Sequence, residues 1–133
     1  MNPILATWSP RLLSILRIVT AFLFTAHGTQ KMLGFPVPPS FPMELWSLVG
    51  AAGLLELVGG ALVLVGLFTR PVAFVMSGLM AFAYFLAHAP EAFWPIVNGG
   101  ELAVLYCFVF LYFAAAGGGP LSVDHWWSER RNG

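Results

Sequence analysis

Four long apolar stretches run through the chain, and they constrain its fold more than any other feature of the sequence. Each has about 16 to 24 residues, which as an α-helix spans about 24 to 36 Å, close to the thickness of the hydrocarbon core of a bilayer. Unpaired backbone groups in lipid cost several kcal/mol each, so helices are favoured, and the alternating segments of a membrane β-barrel are not visible. Proline and glycine breaks separate the stretches and predict spans at about residues 11–33, 45–68, 71–89 and 98–117.

The charge content agrees with a chain that lies mostly in lipid. Only 9% of the 133 residues are charged and 59% are hydrophobic, whereas soluble domains carry about 25% charged residues. The formal net charge is +0, so no basic field exists for nucleic acid, which is excluded as a partner. We therefore predict an all-α integral membrane protein. Its single domain, residues 1–133, is expected to be an antiparallel bundle of four transmembrane helices in contact with the lipid bilayer.

The cationic residues predict the orientation of this bundle. In a four-span topology only Lys31 falls on one side of the membrane, and the other side holds Arg11, Arg70, Arg130 and Arg131. Lysine and arginine are enriched in cytoplasmic loops, so both termini are expected in the cytoplasm. The first stretch carries Arg17 and lacks a short apolar core followed by a small-residue cleavage site. We therefore expect it to remain as a helix and not to be a cleaved signal peptide.

Polar side chains lie inside the apolar stretches, where an ionisable group costs about 2.5 to 3.5 kcal/mol. On the first helix, a turn of about 100° per residue places Arg17, His27 and Lys31 on one face and Gln30 further round. On the second helix, Glu56 lies close to the predicted midplane among glycines. A carboxylate at that depth must be neutral or paired with a cation, and Arg17 and Lys31 are the candidates. Alternatively, such a salt bridge only fixes the register of the helices.

Three further polar residues, His88, Asn98 and Glu101, are predicted near the outer ends of the third and fourth helices. His88 alternatively bonds to lipid headgroups or a loop carbonyl, and Glu101 alternatively interacts with the dipole of its own helix. Together with His27 and Lys31 they predict a polar pocket in the outer half of the bundle.

The motifs "FTAHGTQKMLGF", "LLELVGGALVLVGLFTRP" and "AHAPEAFWPIVNGGELAVLYCFVFLYFAAAGGGPLSVD" together resemble the DoxX family of small four-helix bacterial membrane proteins, over nearly the whole chain. The segment from His88 to Asp124 is the most specific part. The resemblance implies a multi-pass protein of the bacterial inner membrane and membrane redox or quinone chemistry. The family's recurrent polar positions match Arg17, His27, Gln30, Lys31, Glu56, Thr69, Arg70, His88, Asn98, Glu101 and Asp124.

The first functional hypothesis is therefore a quinone-handling redox protein, or a membrane subunit of one. A quinone needs an apolar slot with donors or acids at its carbonyl oxygens, because its two-electron reduction takes up two protons. The sequence carries no haem, iron–sulfur or flavin-type nucleotide motif, so electrons are expected from a redox partner protein or a directly bound reductant. The candidate catalytic residues are Glu56, His27 and Glu101, and the candidate cofactor-binding residues are Arg17, Lys31, His88 and Asn98.

Three alternatives stay open. Intramembrane acids and histidines also line transport paths, which makes a small-molecule or ion permease possible, and four spans would then call for a homodimer. A metal site would use one residue from each helix, but no Glu-x-x-His pair is present, so no metal ligand is predicted. Finally, the polar set of a purely structural subunit would serve assembly alone.

Overall fold

The structure is a computed structural model that describes residues 2–133, and within this range it contains helices, one π-helical turn and loops but no β-strand. The prediction of an all-helical fold is confirmed. The elements are α1 (Pro3–Leu33), α2 (Leu48–Val65), α3 (Thr69–Ala83), the π-helical turn (Tyr84–His88), α4 (Pro95–Asn98), α5 (Glu101–Ala116) and α6 (Val123–Asn132).

Three helical segments are long and apolar enough to cross a membrane: Pro3–Leu33, Leu48–Val65 and Thr69–His88, the last combining α3 with the π-helical turn. Helix α5 is also apolar but has only 16 residues. Large apolar side chains remain exposed along these helices, and Phe22, Phe74 and Phe108 are 64–65% exposed. Soluble monomers rarely expose apolar surface on this scale, so these side chains are suited to contact with lipid.

All four of these helices begin at other residues than the predicted spans, and the starts of α1 and α5 have identifiable local causes. Helix α1 begins at Pro3 and not at residue 11, because Asn2 caps it by accepting a hydrogen bond from the Ile4 N–H at 3.0 Å. Pro3 suits a first helical position, where no N–H is needed. Helix α5 begins at Glu101 and not near residue 98, because Gly99 adopts a left-handed conformation (φ 70°) that ends α4.

The chain divides into two compact units, which are described separately. Unit 1 contains the residues up to Thr69 together with Gly118–Gly133, and so holds α1, α2 and α6. Unit 2 is Arg70–Gly117 and holds most of α3, the π-helical turn, α4 and α5. Each unit positions its own set of polar side chains.

Glycines let α1 and α2 of unit 1 pack closely in an antiparallel arrangement. Thr25 of α1 faces Gly60 of α2, where a Cβ atom would lie 3.1 Å from the Thr25 Cα. Further along α1, Gly28 faces Leu57, which comes earlier in α2; a Cβ atom at Gly28 would lie 2.7 Å from the Leu57 Cα and closer still to its backbone nitrogen. Small residues at such crossings are a common basis for helix packing in membranes.

Unit 2 has a separate apolar core, and its polar groups are bonded locally. The Ser77 hydroxyl donates to the carbonyl of Cys107 at 2.7 Å. The Arg70 guanidinium donates to the carbonyls of Ala114, Ala115 and Ala116, which lack partners within their helix because they end α5. The buried apolar residues of this core are Ala73, Met76, Met80, Tyr106, Phe110 and Phe113.

Candidate functional site

The antiparallel contact of α1 and α2 brings Lys31 to Glu56. The Lys31 Nζ lies 2.7 Å from Glu56 Oε1 and 2.8 Å from Oε2. The stem of Lys31 runs over Gly53, where a Cβ atom would lie 3.0 Å from the Lys31 Cβ, so the glycine leaves room for the lysine. The local sequence thus builds the ion pair from a lysine near the end of one helix and a glutamate inside the next.

Burial of this ion pair is unequal, and this matters for its chemistry. The Glu56 side chain is only 5% exposed, whereas that of Lys31 is 23% exposed. A buried carboxylate without a cation is strongly unfavourable, so Lys31 offsets the cost of placing Glu56 there. Of the two cations that the sequence offered as partners for Glu56, the structure pairs it with Lys31.

Arg17 is fully buried and holds together the opposite end of unit 1. Its guanidinium donates to Val63 O and Leu64 O, both at 2.5 Å, in the last turn of α2. It also donates to Gly118 O at 2.9 Å and Leu121 O at 2.5 Å in the loop before α6. Since Nε, Nη1 and Nη2 all bond to backbone carbonyls, the geometry assigns Arg17 to the support of this loop and helix end.

Three more polar side chains fix this loop and the helix ends beside it, and the sequence analysis named only Asp124 among them. The Ser14 hydroxyl accepts a hydrogen bond from Leu121 N at 3.1 Å, and Ser122 caps α6 by accepting from His125 N at 3.2 Å. Asp124, a recurrent family position, accepts from Phe68 N and Thr69 N, both at 2.8 Å, where α3 begins. The sequence did offer a signal for Ser14, which lies one helical turn before the intramembrane Arg17.

His27 and Gln30 line a shallow pocket of about 150 Å³ together with Ala26, Pro36 and Val37. The helical angles predicted different directions for His27 and Gln30. The chain after α1 covers both residues, because Gly34 ends the helix in a left-handed conformation (φ 65°) and the following segment brings Pro36 and Val37 to the pocket. The pocket is therefore formed by α1 and the segment that follows it.

In unit 2 the structure brings together His88 and Asn98. The His88 Nδ1 lies 3.0 Å from the Asn98 backbone carbonyl, and Asn98 is buried. Tyr84 joins them, since its hydroxyl lies 3.3 Å from the Asn98 Nδ2. The sequence analysis did not single out Tyr84, although its position four residues before His88 indicates that the two side chains share a helix face. Glu101 is exposed at the first position of α5.

Residues 12–89 match the family profile described as DoxX. The chain belongs to the DoxX family. It is also 44% identical over 131 residues to an uncharacterized protein from Haemophilus influenzae, in a match that covers 91% of this chain and 94% of that protein. No solved structure matches the chain. The resemblance read from the sequence motifs is thus confirmed.

The DoxX profile covers some of the candidate residues and not others. Arg17, His27, Lys31, Glu56 and His88 lie inside the matched range. Asn98, Glu101 and Asp124 lie after it, although the segment from His88 to Asp124 was taken as the most specific part of the resemblance. Within residues 2–133 of this DoxX protein, no group of three or more His, Cys, Asp or Glu side chains is placed to hold a metal ion.

Proposed function

We propose that this DoxX protein binds a quinone, or a similar small molecule with carbonyl oxygens, at the Lys31–Glu56 pair and takes part in its redox chemistry. The observation that carries this proposal is the buried carboxylate joined to a partly exposed ammonium group. Ionisable residues at membrane depth are expensive and commonly mark ligand or proton pathways. Helices α1 and α2, which carry the pair, are apolar, which suits a quinone ring.

The ammonium of Lys31 has the donor capacity that a carbonyl ligand needs. An ammonium carries three N–H donors, and the two oxygens of Glu56 occupy at most two of them. At least one donor remains for a ligand, on the side where Lys31 is exposed. Glu56 fixes the position of the ammonium, because the carboxylate is bonded through both oxygens and is itself almost fully buried.

The pair is also suited to proton transfer. A bound quinone would take up two electrons and two protons when it is reduced to the hydroquinone. Lys31 donates a hydrogen bond to the carbonyl oxygen, and its positive charge stabilises negative charge that develops there. Glu56 holds the ammonium in position through both of its oxygens. A proton that Lys31 gives to the reduced oxygen is replaced from water at its exposed side, and water also supplies the second proton. A redox partner protein is proposed as the source of the electrons.

We also propose that the chain crosses the bacterial inner membrane four times, with both termini in the cytoplasm. Three helices have the required length and composition, and α5 with the short helix α4 before it supplies the fourth span. The support for the orientation is the distribution of cations, because only Lys31 lies on the outer side in this topology.

Ubiquinone binding by the full-length protein in detergent tests the proposed site. We expect the double substitution Lys31→Met with Glu56→Gln to weaken binding by about ten- to a hundredfold, the loss expected for a hydrogen bond from a charged donor. Tryptophan quenching during titration with a short-chain ubiquinone measures the dissociation constant.

The double variant is chosen because it leaves no buried charge without a partner, so its fold is expected to survive. The matched control is Arg11→Met, which also replaces a cation by methionine but at an exposed position. If the folded double variant bound ubiquinone as tightly as the wild type, the pair would serve helix packing only and the proposal would be wrong.

A further inference from the structure

Tyr84 and His88 lie at the two ends of the π-helical turn in unit 2. The turn is wider than an α-helical one, since Ala89 N donates to Tyr84 O at 2.9 Å, five residues back. Within this turn the two rings stack, with centroids 6.3 Å apart and an angle of 26° between their planes. Single π-helical turns within α-helices occur frequently at functional sites.

Asn98 is held rigidly beside these two rings. Its Nδ2 donates to Ala92 O at 2.9 Å and to the Tyr84 hydroxyl at 3.3 Å, and its Oδ1 accepts from Gly100 N at 2.8 Å. Gly100 allows the Tyr84 ring to lie close, because a Cβ atom there would come within 2.7 Å of the ring. The backbone carbonyl of Asn98 is therefore a fixed acceptor for His88.

This geometry determines the tautomer of His88. A carbonyl oxygen only accepts hydrogen bonds, so the Nδ1 that lies 3.0 Å from Asn98 O carries the proton. In the neutral imidazole Nε2 then carries the lone pair and acts as an acceptor. The Tyr84 oxygen accepts from Asn98, so its own O–H remains to donate. The two side chains together offer an arriving ligand one acceptor and one donor.

We propose that Tyr84 and His88 bind the reduced, hydroxyl form of the ligand, with a phenolic O–H donating to His88 Nε2. A quinone carbonyl has no proton to donate, so this acceptor distinguishes a hydroquinone from the oxidised form. Lys31 offers a donor, which suits the oxidised carbonyl form. The identity of the ligand rests on the proposed function, whereas the tautomer and the preference for a hydroxyl group rest on the contacts of unit 2 alone.

Nitrogen NMR of the full-length protein in detergent, labelled with ¹⁵N at its three histidines, tests this inference. His27→Gln and His125→Gln identify the signals of His88. We expect a directly bonded proton on His88 Nδ1 and none on Nε2. Addition of hydroquinone should shift the Nε2 signal, and addition of 1,4-dimethoxybenzene, which keeps the ring but lacks hydroxyl protons, should leave it unchanged.

Two variants sharpen the test. Tyr84→Phe removes one hydroxyl and should weaken hydroquinone binding by about three- to tenfold, the usual effect of one neutral hydrogen bond. His88→Asn keeps a donor toward Asn98 O but has no Nε2, and it should abolish the preference for hydroquinone over the ether. A protonated Nε2, equal shifts with both compounds, or unchanged binding in Tyr84→Phe would each overturn the inference.

The same titration on the Lys31→Met, Glu56→Gln double variant separates the two proposals. The double variant could show a normal hydroquinone shift at His88 and still bind ubiquinone as tightly as the wild type. That result would support the hydroxyl site and refute the proposed function. If instead the double variant lost ubiquinone binding and hydroquinone did not shift the His88 signal of the wild type, the proposed function would stand and the hydroxyl site would be refuted.

Discussion

Replacement of Arg17 by lysine is expected to lower the free energy of unfolding by about 3 kcal/mol or more. The guanidinium of Arg17 donates to four backbone carbonyls at once, two at the end of α2 and two in the loop before α6. A lysine ammonium has only three donors and no planar fork, so it leaves at least one buried carbonyl without a partner. Hydrogen bonds from charged groups contribute about 1.5–3 kcal/mol each, and breaking a buried charged contact is strongly destabilising.

Unfolding of the purified protein by a denaturing detergent measures this effect. Arg11→Lys is the matched control, because Arg11 is exposed and its guanidinium lies over the Trp8 ring at 5.6 Å. The control is expected to change the free energy of unfolding by less than about 0.5 kcal/mol. Similar effects of the two substitutions would show that the carbonyl contacts of Arg17 contribute little.

Replacement of Gly28 by alanine is the second large effect that the structure predicts, at about 2–3 kcal/mol of destabilisation. The added methyl group would meet the backbone of α2. It would lie 2.7 Å from the Leu57 Cα and 2.9 Å from the Glu56 carbonyl carbon. A backbone cannot rotate away as a side chain does, so α2 would have to move as a whole. That movement would also lengthen the Lys31–Glu56 contact.

Gly78→Ala is the matched control for this substitution. Gly78 also lies inside a helix, α3, but a Cβ atom there would have no heavy atom within 4 Å. Alanine is favoured over glycine in a helix by about 0.5–1 kcal/mol, so the control should be neutral or slightly stabilising. Equal stability of the two variants in detergent unfolding would contradict the close approach of α1 and α2.

Much of the fold was predictable because backbone N–H and C=O groups in lipid must bond to one another, which favours helices. The apolar stretches predicted helices, and the cost of an isolated carboxylate predicted that Glu56 has a cationic partner. The role of Arg17 was not predictable in the same way. Its acceptors are backbone carbonyls, which every residue carries, and two of them lie more than 100 positions away in the sequence.

The remaining differences have two physical causes. Regular helical angles make Gln30 a neighbour of His27, but they could not predict the pocket, because Pro36 and Val37 from the segment after the helix complete it. The π-helical turn over Tyr84–His88 was not predicted either. Local hydrogen bonds decide such a turn, and hydrophobic periodicity does not reveal it.

The most direct test of the central claim is to measure the quinone that the protein retains during purification from its membrane. Solvent extracts of the wild type, of the Lys31→Met, Glu56→Gln double variant and of a surface variant, Glu129→Gln, would be compared by chromatography. The proposed function predicts that the wild type and Glu129→Gln retain quinone in proportion to protein, and that the double variant loses it. Equal quinone content in all three proteins, or none in the wild type, would contradict a quinone site at Lys31 and Glu56.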